Sequence, residues 1–447
     1  MGSHPDGVPV AASPSSPLHF RSSRGRLCDT IPFFHDGQYH VFYIRCDTEG
    51  GVPWDHIVSH DLVHWHELPT ALERDPNDPL GPDGRDMFTG CVVEHDGVFH
   101  IFYTGHNPKN PDGGEIICHA TSTDLVTWYK LRDHCFGADG AVYHPRDFRD
   151  PFVFRHEESG EWWMLLCAGL ADSDFSGIGR LVSTDLVSWN PAEPLILDPP
   201  LLEGQTGAPE CPDLFRLGDY WHLLYTRRGQ NIRRARHVEG PFTHGVPAQL
   251  DNTLLLAGKR LFDGRRHIYF GPLSGDHDDS VMNLPRELFQ GDDGHLRVRP
   301  VREVVDSFVD VTHESADGGF DLPATGYRCP VPADCLVRCS VDLAEDAILT
   351  IGLRAGPDGS GGVPLTVHTG RRSLELGPYH RSWGDAALPV ITLQIFVLGT
   401  VIECFLDDRL AMVGRTYERN GGHLSIVSHG GAARVLALEV REVPKPR

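Results

Sequence analysis

Three acidic residues, Asp29, Asp150 and Glu210, stand where this sequence can do chemistry. Each opens a copy of one phrase, an apolar strand, a Gly-containing turn and a second, aromatic-rich strand: Asp29-TIPFFHDGQYHVFY, Asp150-PFVFRHEESGEWWMLL and Glu210-CPDLFRLGDYWHLLY. Carboxylates facing one another across a pocket are what glycosidic bond cleavage needs, one as nucleophile or base and one as a proton donor with a raised pKa. Asp29 and Asp150 lie 121 residues apart, and Asp150 and Glu210 lie 60 apart, so only a repeating architecture brings them together.

That architecture is legible. Two further copies, FTGCVVEHDGVFHIFY from Phe88 and KRLFDGRRHIYFG from Lys259, complete a set of five whose turn glycines fall at 37, 97, 160, 218 and 264, spaced 60, 63, 58 and 46 residues. Ser59-HDLVHW, Ser122-TDLVTW and Ser183-TDLVSW form a second repeat, 63 and 61 residues apart. A period of this size in a strand pattern predicts a β-propeller. Each blade of a propeller gives its innermost strand to a central channel, so Asp29, Asp150 and Glu210 are expected at equivalent positions around one end of the axis. Trp65, Trp128 and Trp189 recur with the blades and are expected in blade cores. Asp-Gly pairs at 36–37, 96–97 and 263–264 are hairpin signals.

Beyond residue 305 the composition shifts, with Gly and Pro clustered at 318–332 and 355–364 and period-two apolar strands between them, the pattern of a β-sandwich. The expectation is an all-β chain: a flexible leader over 1–17, a five-bladed β-propeller over 18–300, a linker over 301–310 and a β-sandwich over 311–447. The sandwich carboxylates Glu403, Asp407 and Asp408 read as strand and turn surface.

A net charge of −22 argues against nucleic acid as a partner, since a phosphate-binding surface needs a basic patch. Eleven cysteines, odd in number and scattered mostly through strands, suit reduced thiols better than a disulfide framework, and Cys329, Cys335 and Cys339 read as core rather than metal ligands. With neither a signal peptide nor a long apolar segment visible, the expected setting is the cytoplasm, away from membranes. No metal or other cofactor is required, and the expected partner is a small carbohydrate.

The propeller phrases resemble glycoside hydrolase family 32, the invertases, inulinases and levanases, over about residues 18–447. HDLVHWHELPTAL (60–72) is similar to that family's first-blade segment and FTGCVV (88–93) to its FSGS motif. Phe148-Arg149-Asp150-Pro151 matches its RDP motif and Glu210-Cys211-Pro212-Asp213 its ECPD motif. LPRELF (284–289) and GTVIECFLDDR (399–409) are similar to its linker and sandwich signatures. The resemblance implies Asp150 as transition-state stabiliser, Arg149 as a ligand of substrate hydroxyls, Glu210 as general acid/base, and Phe88 and Thr89 in the substrate pocket. Asp29 takes the nucleophile's place, although the family's WMNDPNG is here Arg26-Leu-Cys-Asp-Thr-Ile-Pro, which removes the asparagines that help hold a fructosyl unit.

Around this trio, Trp54 and His56 are candidates for a stacking platform and a hydroxyl ligand at the pocket rim, or for plain packing. Asp86 is a candidate for the pocket wall. Lys259 and Arg260 place two cations toward the channel, to neutralise carboxylates or to bind an anionic group. The corresponding chemistry is retaining hydrolysis of a furanoside. A fructotransferase or difructose-anhydride enzyme, an arabinofuranosidase-like pentofuranosidase and a non-catalytic sugar-binding propeller stay open as alternatives.

Overall fold

The computed structural model describes residues 18–46, 52–110, 114–199, 207–275, 279–315, 318–384, 386–417 and 421–443. The expected leader, 1–17, lies outside the described residues. Five four-stranded antiparallel sheets fill the first two thirds. Sheet one holds β1 (Arg26–His35), β2 (Gln38–Cys46), β3 (Trp54–Ser59) and β4 (His66–Leu72); sheet two holds β5 (Asp86–His95), β6 (Val98–His106), β7 (Glu115–Ser122) and β8 (Tyr129–Lys130). Sheet three is β9 (Tyr143–Arg155), β10 (Trp162–Leu170), β11 (Ser176–Ser183) and β12 (Asn190–Asp198), and sheet four is β13 (Glu210–Leu217), β14 (Tyr220–Thr226), β15 (Gln230–Ala235) and β16 (Thr243–Gln249). In sheet five, β17 (Lys259–Phe262) and β18 (His267–Phe270) are separated from β21 (Arg286–Gln290) and β22 (Leu296–Pro300) by a small pair, β19 (Pro272–Leu273) and β20 (Val281–Met282). The first strands touch in a closed circle, β1 to β5 to β9 to β13 to β17 and back to β1.

Local chemistry explains the repeats. Asp36 and Gly37 (φ 47° and 75°) and Asp96 and Gly97 (φ 51° and 77°) are paired left-handed residues of the kind that tight hairpins demand. The third Asp-Gly pair differs: only Gly264 has positive φ, and the Asp263 carboxylate accepts hydrogen bonds from the backbone N–H of Arg265 and Arg266. In the DLVxW phrase, the hydroxyl oxygens of Ser59, Ser122 and Ser183 accept from the N–H of Leu62, Leu125 and Leu186, each of which has φ 62°. Aspartates 61, 124 and 185 each accept two further backbone N–H bonds, which help hold their carboxyls down at about 2. The tryptophans that follow are half-buried and meet a phenylalanine of the neighbouring sheet edge-on, Trp128 on Phe42, Trp189 on Phe102 and Trp65 on Phe270. Each pair adds about 0.5–1.5 kcal/mol beyond its buried area, and Trp65 spends it joining sheet one to sheet five.

After a six-residue helix, α1 (Arg302–Ser307), that falls within the expected linker, a seven-stranded and a six-stranded sheet follow. They share one apolar core that includes Val337, Val341, Leu349, Ile351, Leu393 and Ile426. Cys329, Cys335 and Cys339 are buried in that core. Two expectations are corrected. Cys28 and Cys46 form a disulfide, so these thiols are not all reduced. Glu403 is no surface residue: it is fully buried, bonded to His19 at 2.8 Å, to the Leu284 N–H at 2.8 Å and to Arg286, which also pairs with Asp251. Burial alone would raise its carboxyl, but the Arg286 charge and the His19 bond hold it at about 2. This buried charge cluster, with Phe396, Val401 and Phe405 beside sheet five, fixes the C-terminal sheets against the circle.

Candidate active site

The acids sit where the inner strands break their ladders. Sheet one pairs Leu27 with Arg45 and next Thr30 with Tyr43; sheet three pairs Arg149 with Cys167 and next Phe152 with Leu165; sheet four pairs Glu210 with Thr226 and next Asp213 with Leu224. In each, two residues face one, a bulge that bends the strand and re-aims its side chains. β5 bulges likewise between Phe88 and Gly90, at Thr89. Asp150 is the first residue of its bulge, Asp29 the second, and Glu210 immediately precedes one. The three acids are therefore staggered by one residue each rather than strictly equivalent.

Backbone geometry shows what this arrangement costs. Asp150 and Cys211 take left-handed φ values of 62° and 52°, which costs side-chain-bearing residues about 1–3 kcal/mol each. Hydrogen bonds hold them there: the Asp150 N–H donates to Thr104 Oγ1 at 2.8 Å, and the Cys211 N–H donates to Asp150 Oδ2 at 3.0 Å. The Cys211 thiol then lies 3.6 Å from Asp150 Oδ2 and 3.9 Å from Asp29 Oδ2, joining the two aspartates through one sulfur.

On the other side Arg149 orders Glu210. Its guanidinium donates to Glu210 Oε1 at 2.8 and 3.2 Å, to Glu115 at 3.1 and 3.2 Å, and to Asp147 at 2.8 Å. Burial first, then the Asp150 charge, raise the Glu210 carboxyl against the pull of Arg149; its side chain stays 43% exposed, which moderates the effect. Burial and the Asp150 charge push Asp29 up to about 7, with Lys259 opposing them. Glu115, Asp147 and Thr104 escaped sequence reasoning, and only Cys211, inside the ECPD phrase, carried a signal.

The remaining candidates divide. Lys259, almost fully buried, donates from Nζ to Thr89 Oγ1 at 3.1 Å and to the Gly90 carbonyl at 2.5 Å. Arg260 is held by Asp213, its backbone N–H donating at 2.7 Å and its Nε lying 3.2 Å from the carboxylate, and stacks over Phe215. Asp86 contacts His106 at 3.3 Å and Arg85 at 3.5 Å, and Phe88 lies parallel to His106 with ring centres 5.2 Å apart. Trp54 and His56 are not at a rim. Both are fully buried, the Trp54 indole donating to the Met87 and Phe88 carbonyls at 3.2 Å and His56 packing on Phe42 and His40. Cys91, where FSGS ends in Ser, accepts the Val153 N–H and ties β5 to β9. Among the described residues no group of three or more His, Cys, Asp or Glu side chains is placed to hold a metal ion, and no helix is long and apolar enough to cross a membrane.

Residues 19–242 match the model of the glycosyl hydrolases family 32 N-terminal domain, half of the chain. The chain belongs to this family. Raffinose invertase of Escherichia coli is 30% identical over a match covering 61% of this chain and 61% of that protein, so the chain spans about three fifths of that relative's length. Sucrose-6-phosphate hydrolase of Klebsiella pneumoniae is 29% identical over 87% of this family 32 chain and 85% of its own. Fructan 1-exohydrolase IIa from Cichorium intybus superposes with a TM-score of 0.81 at 16% identity, covering 97% of this chain and 98% of that one, a likeness of fold.

Proposed function

We propose that this family 32 chain is a glycosidase that hydrolyses fructofuranosides with retention of configuration. The circle of five four-stranded sheets supports reading 18–300 as a five-bladed propeller, and the shared core of the two larger sheets supports a sandwich over 311–447, with 301–310 between them. In the first step Asp29 Oδ attacks the anomeric carbon while Glu210 gives its proton to the departing glycosidic oxygen. In the second, Glu210 takes a proton from water, which attacks the same carbon and releases Asp29. Asp150 accepts hydrogen bonds from sugar hydroxyls, bonds that tighten as the ring flattens toward an oxocarbenium ion. Arg149 acts through its clamp on Glu210, with its own capacity for a hydroxyl contact secondary.

The observation that carries this reading is the single cluster in which Cys211 bridges Asp29 and Asp150 while Arg149 grips Glu210. Asp29 and Glu210 both bind protons more tightly than ordinary carboxyls, and the reactive state has Asp29 bare and Glu210 protonated. Lys259 favours that distribution. The test is a screen of sucrose, raffinose, inulin, levan, difructose anhydrides and aryl furanosides against the wild type, Asp29→Asn and Glu210→Gln, with products resolved by chromatography. Turnover lost in both variants supports the reading. Binding without turnover in the wild type would make the chain a sugar-binding module.

One observation bears on the sugar. Cys28 and Ile31 stand where the family's motif has its asparagines, and Cys28 is tied up in a disulfide. Each hydroxyl left unpaired costs about 1–3 kcal/mol, so an oligosaccharide or modified furanoside that gains contacts elsewhere is expected to outperform plain sucrose.

A further inference from the structure

Cys28 is the first residue of the bulge that carries Asp29, and Cys46 is the last residue of β2. Their bond, with Cα atoms 6.2 Å apart, crosses the β1–β2 ladder at its break, where Leu27 opposite Arg45 gives way to Thr30 opposite Tyr43. In sheets three and four the first bulge residue is pinned by a hydrogen bond from its own N–H, Asp150 to Thr104 and Cys211 to Asp150. In sheet one the corresponding residue carries a covalent tether instead. Both cysteines are half-buried, so a small reductant can reach them.

We propose that the Cys28–Cys46 disulfide is a positioning device for Asp29 and that its reduction by a dithiol switches turnover off. The inference rests on the reading of Asp29 as nucleophile. In the switching step a dithiol thiolate attacks one sulfur, the second thiol resolves the mixed disulfide, and the products are two protein thiols and one oxidised dithiol. With the tether cut, the bulge relaxes and the Asp29 oxygen leaves its line of attack. Water reaches the carboxyl and relieves the burial that raises it.

The test treats folded protein with dithiothreitol, counts thiols by alkylation and mass spectrometry, and measures kcat, KM and the pH profile on raffinose and an aryl β-fructofuranoside. Cys28→Ala/Cys46→Ala and Asp29→Asn are run alongside, with Cys118→Ser/Cys135→Ser as control for a second pair of neighbouring cysteines, which carries no disulfide. Reduction and the Cys28/Cys46 double variant are expected to lower kcat by about 10- to 100-fold, the cost of misplacing a reacting group by about 1 Å, with KM nearly unchanged. The acid limb of the profile moves down, reoxidation restores the wild type, and Cys118→Ser/Cys135→Ser responds to the reductant as the wild type does. Unchanged kcat and acid limb in the reduced wild type overturn the proposal. So does global unfolding on reduction, seen by near-ultraviolet circular dichroism, which would make the bond a structural staple. If the double variant fails to fold, the reduced wild type decides. Near-wild-type turnover in Asp29→Asn would instead sink the nucleophile reading, whereas a dead Asp29→Asn beside a fully active reduced enzyme sinks this inference alone.

Discussion

The circle of inner strands has two mouths. At one, β1, β5, β9 and β13 present Asp29, Thr89, Asp150 and Glu210, each at or beside a bulge. At the other, the same circle presents Ile31–Phe34, Val92–Glu94, Phe152–Arg155 and Leu261–Phe262, which with Trp162 line a cavity of about 400 Å³. Beyond its bulge β1 pairs without interruption from Thr30 to His35, and β9 from Phe152 to Arg155. Ladders stay regular along the cavity-lining stretches, and they break at the residues proposed to act on the substrate. Lys259 belongs to both mouths, lining the cavity beside Arg260 while its charge acts on Asp29.

Substitutions at the two mouths should differ by orders of magnitude. The largest effect is expected from Asp29→Asn, a loss on the order of 10⁴-fold or more in kcat, as for other covalent nucleophiles. Steady-state kinetics at saturating substrate measures it. Glu210→Gln should cost about 10²- to 10⁴-fold on raffinose yet far less on an aryl furanoside whose leaving group departs without a proton; equal losses on both would remove Glu210 from the acid's role. Lys259→Met should raise Asp29 further, because the cation that favours its ionised form is gone. The acid limb of kcat/KM then moves up by about one pH unit, with about a tenfold loss at pH 6.

Stability sharpens the contrast with the opposite sign. The folded Asp29 titrates near 7, above its ordinary 3.8, so its ionised form weighs against the native state increasingly from about pH 4 to 7 and fully above. Asp29→Asn should therefore stabilise the protein at pH 8, by on the order of 1–2 kcal/mol after allowance for solvent screening, and be neutral below pH 4. Urea unfolding at the two pH values reads the difference. The smallest effect belongs to the far mouth: Phe262→Ala, at a ring already 49% exposed, should leave kcat/KM within about twofold and stability within about 1 kcal/mol.

What the sequence made legible was local. An Asp-Gly hairpin or a Ser-x-Asp-Leu turn is decided within four residues, so the repeats announced the five sheets, and their phase gathered the acids. Bulges were hidden, because nothing in Leu27–Thr30 states how that stretch registers against β2. The disulfide was hidden for the same reason, as pairing Cys28 with Cys46 needs the ladder. Trp54 and His56 stood open between rim and packing because an aromatic residue between glycines and a strand looks alike in both, and the fold buries them. Glu403 misled because its partners Arg286 and His19 lie 117 and 384 residues away. The helix Arg302–Ser307 is too short to show a period.

Every strand of sheet one comes from residues 26–72 and every strand of sheet five from 259–300. Four of the five joints in the circle are crossed directly by the chain; the joint between these two sheets is not. It is a clasp, fastened by Trp65 on Phe270, by the Tyr39 hydroxyl between Asp263 and Arg266, and by the Ser280 hydroxyl on the Leu27 carbonyl. Asp29 stands on one side of the clasp and Lys259 on the other. Any loosening of this fastening would draw the Asp29 carboxylate away from the Lys259 charge that opposes its rise, so the one joint the chain does not cross is also the one across which the proposed nucleophile is tuned.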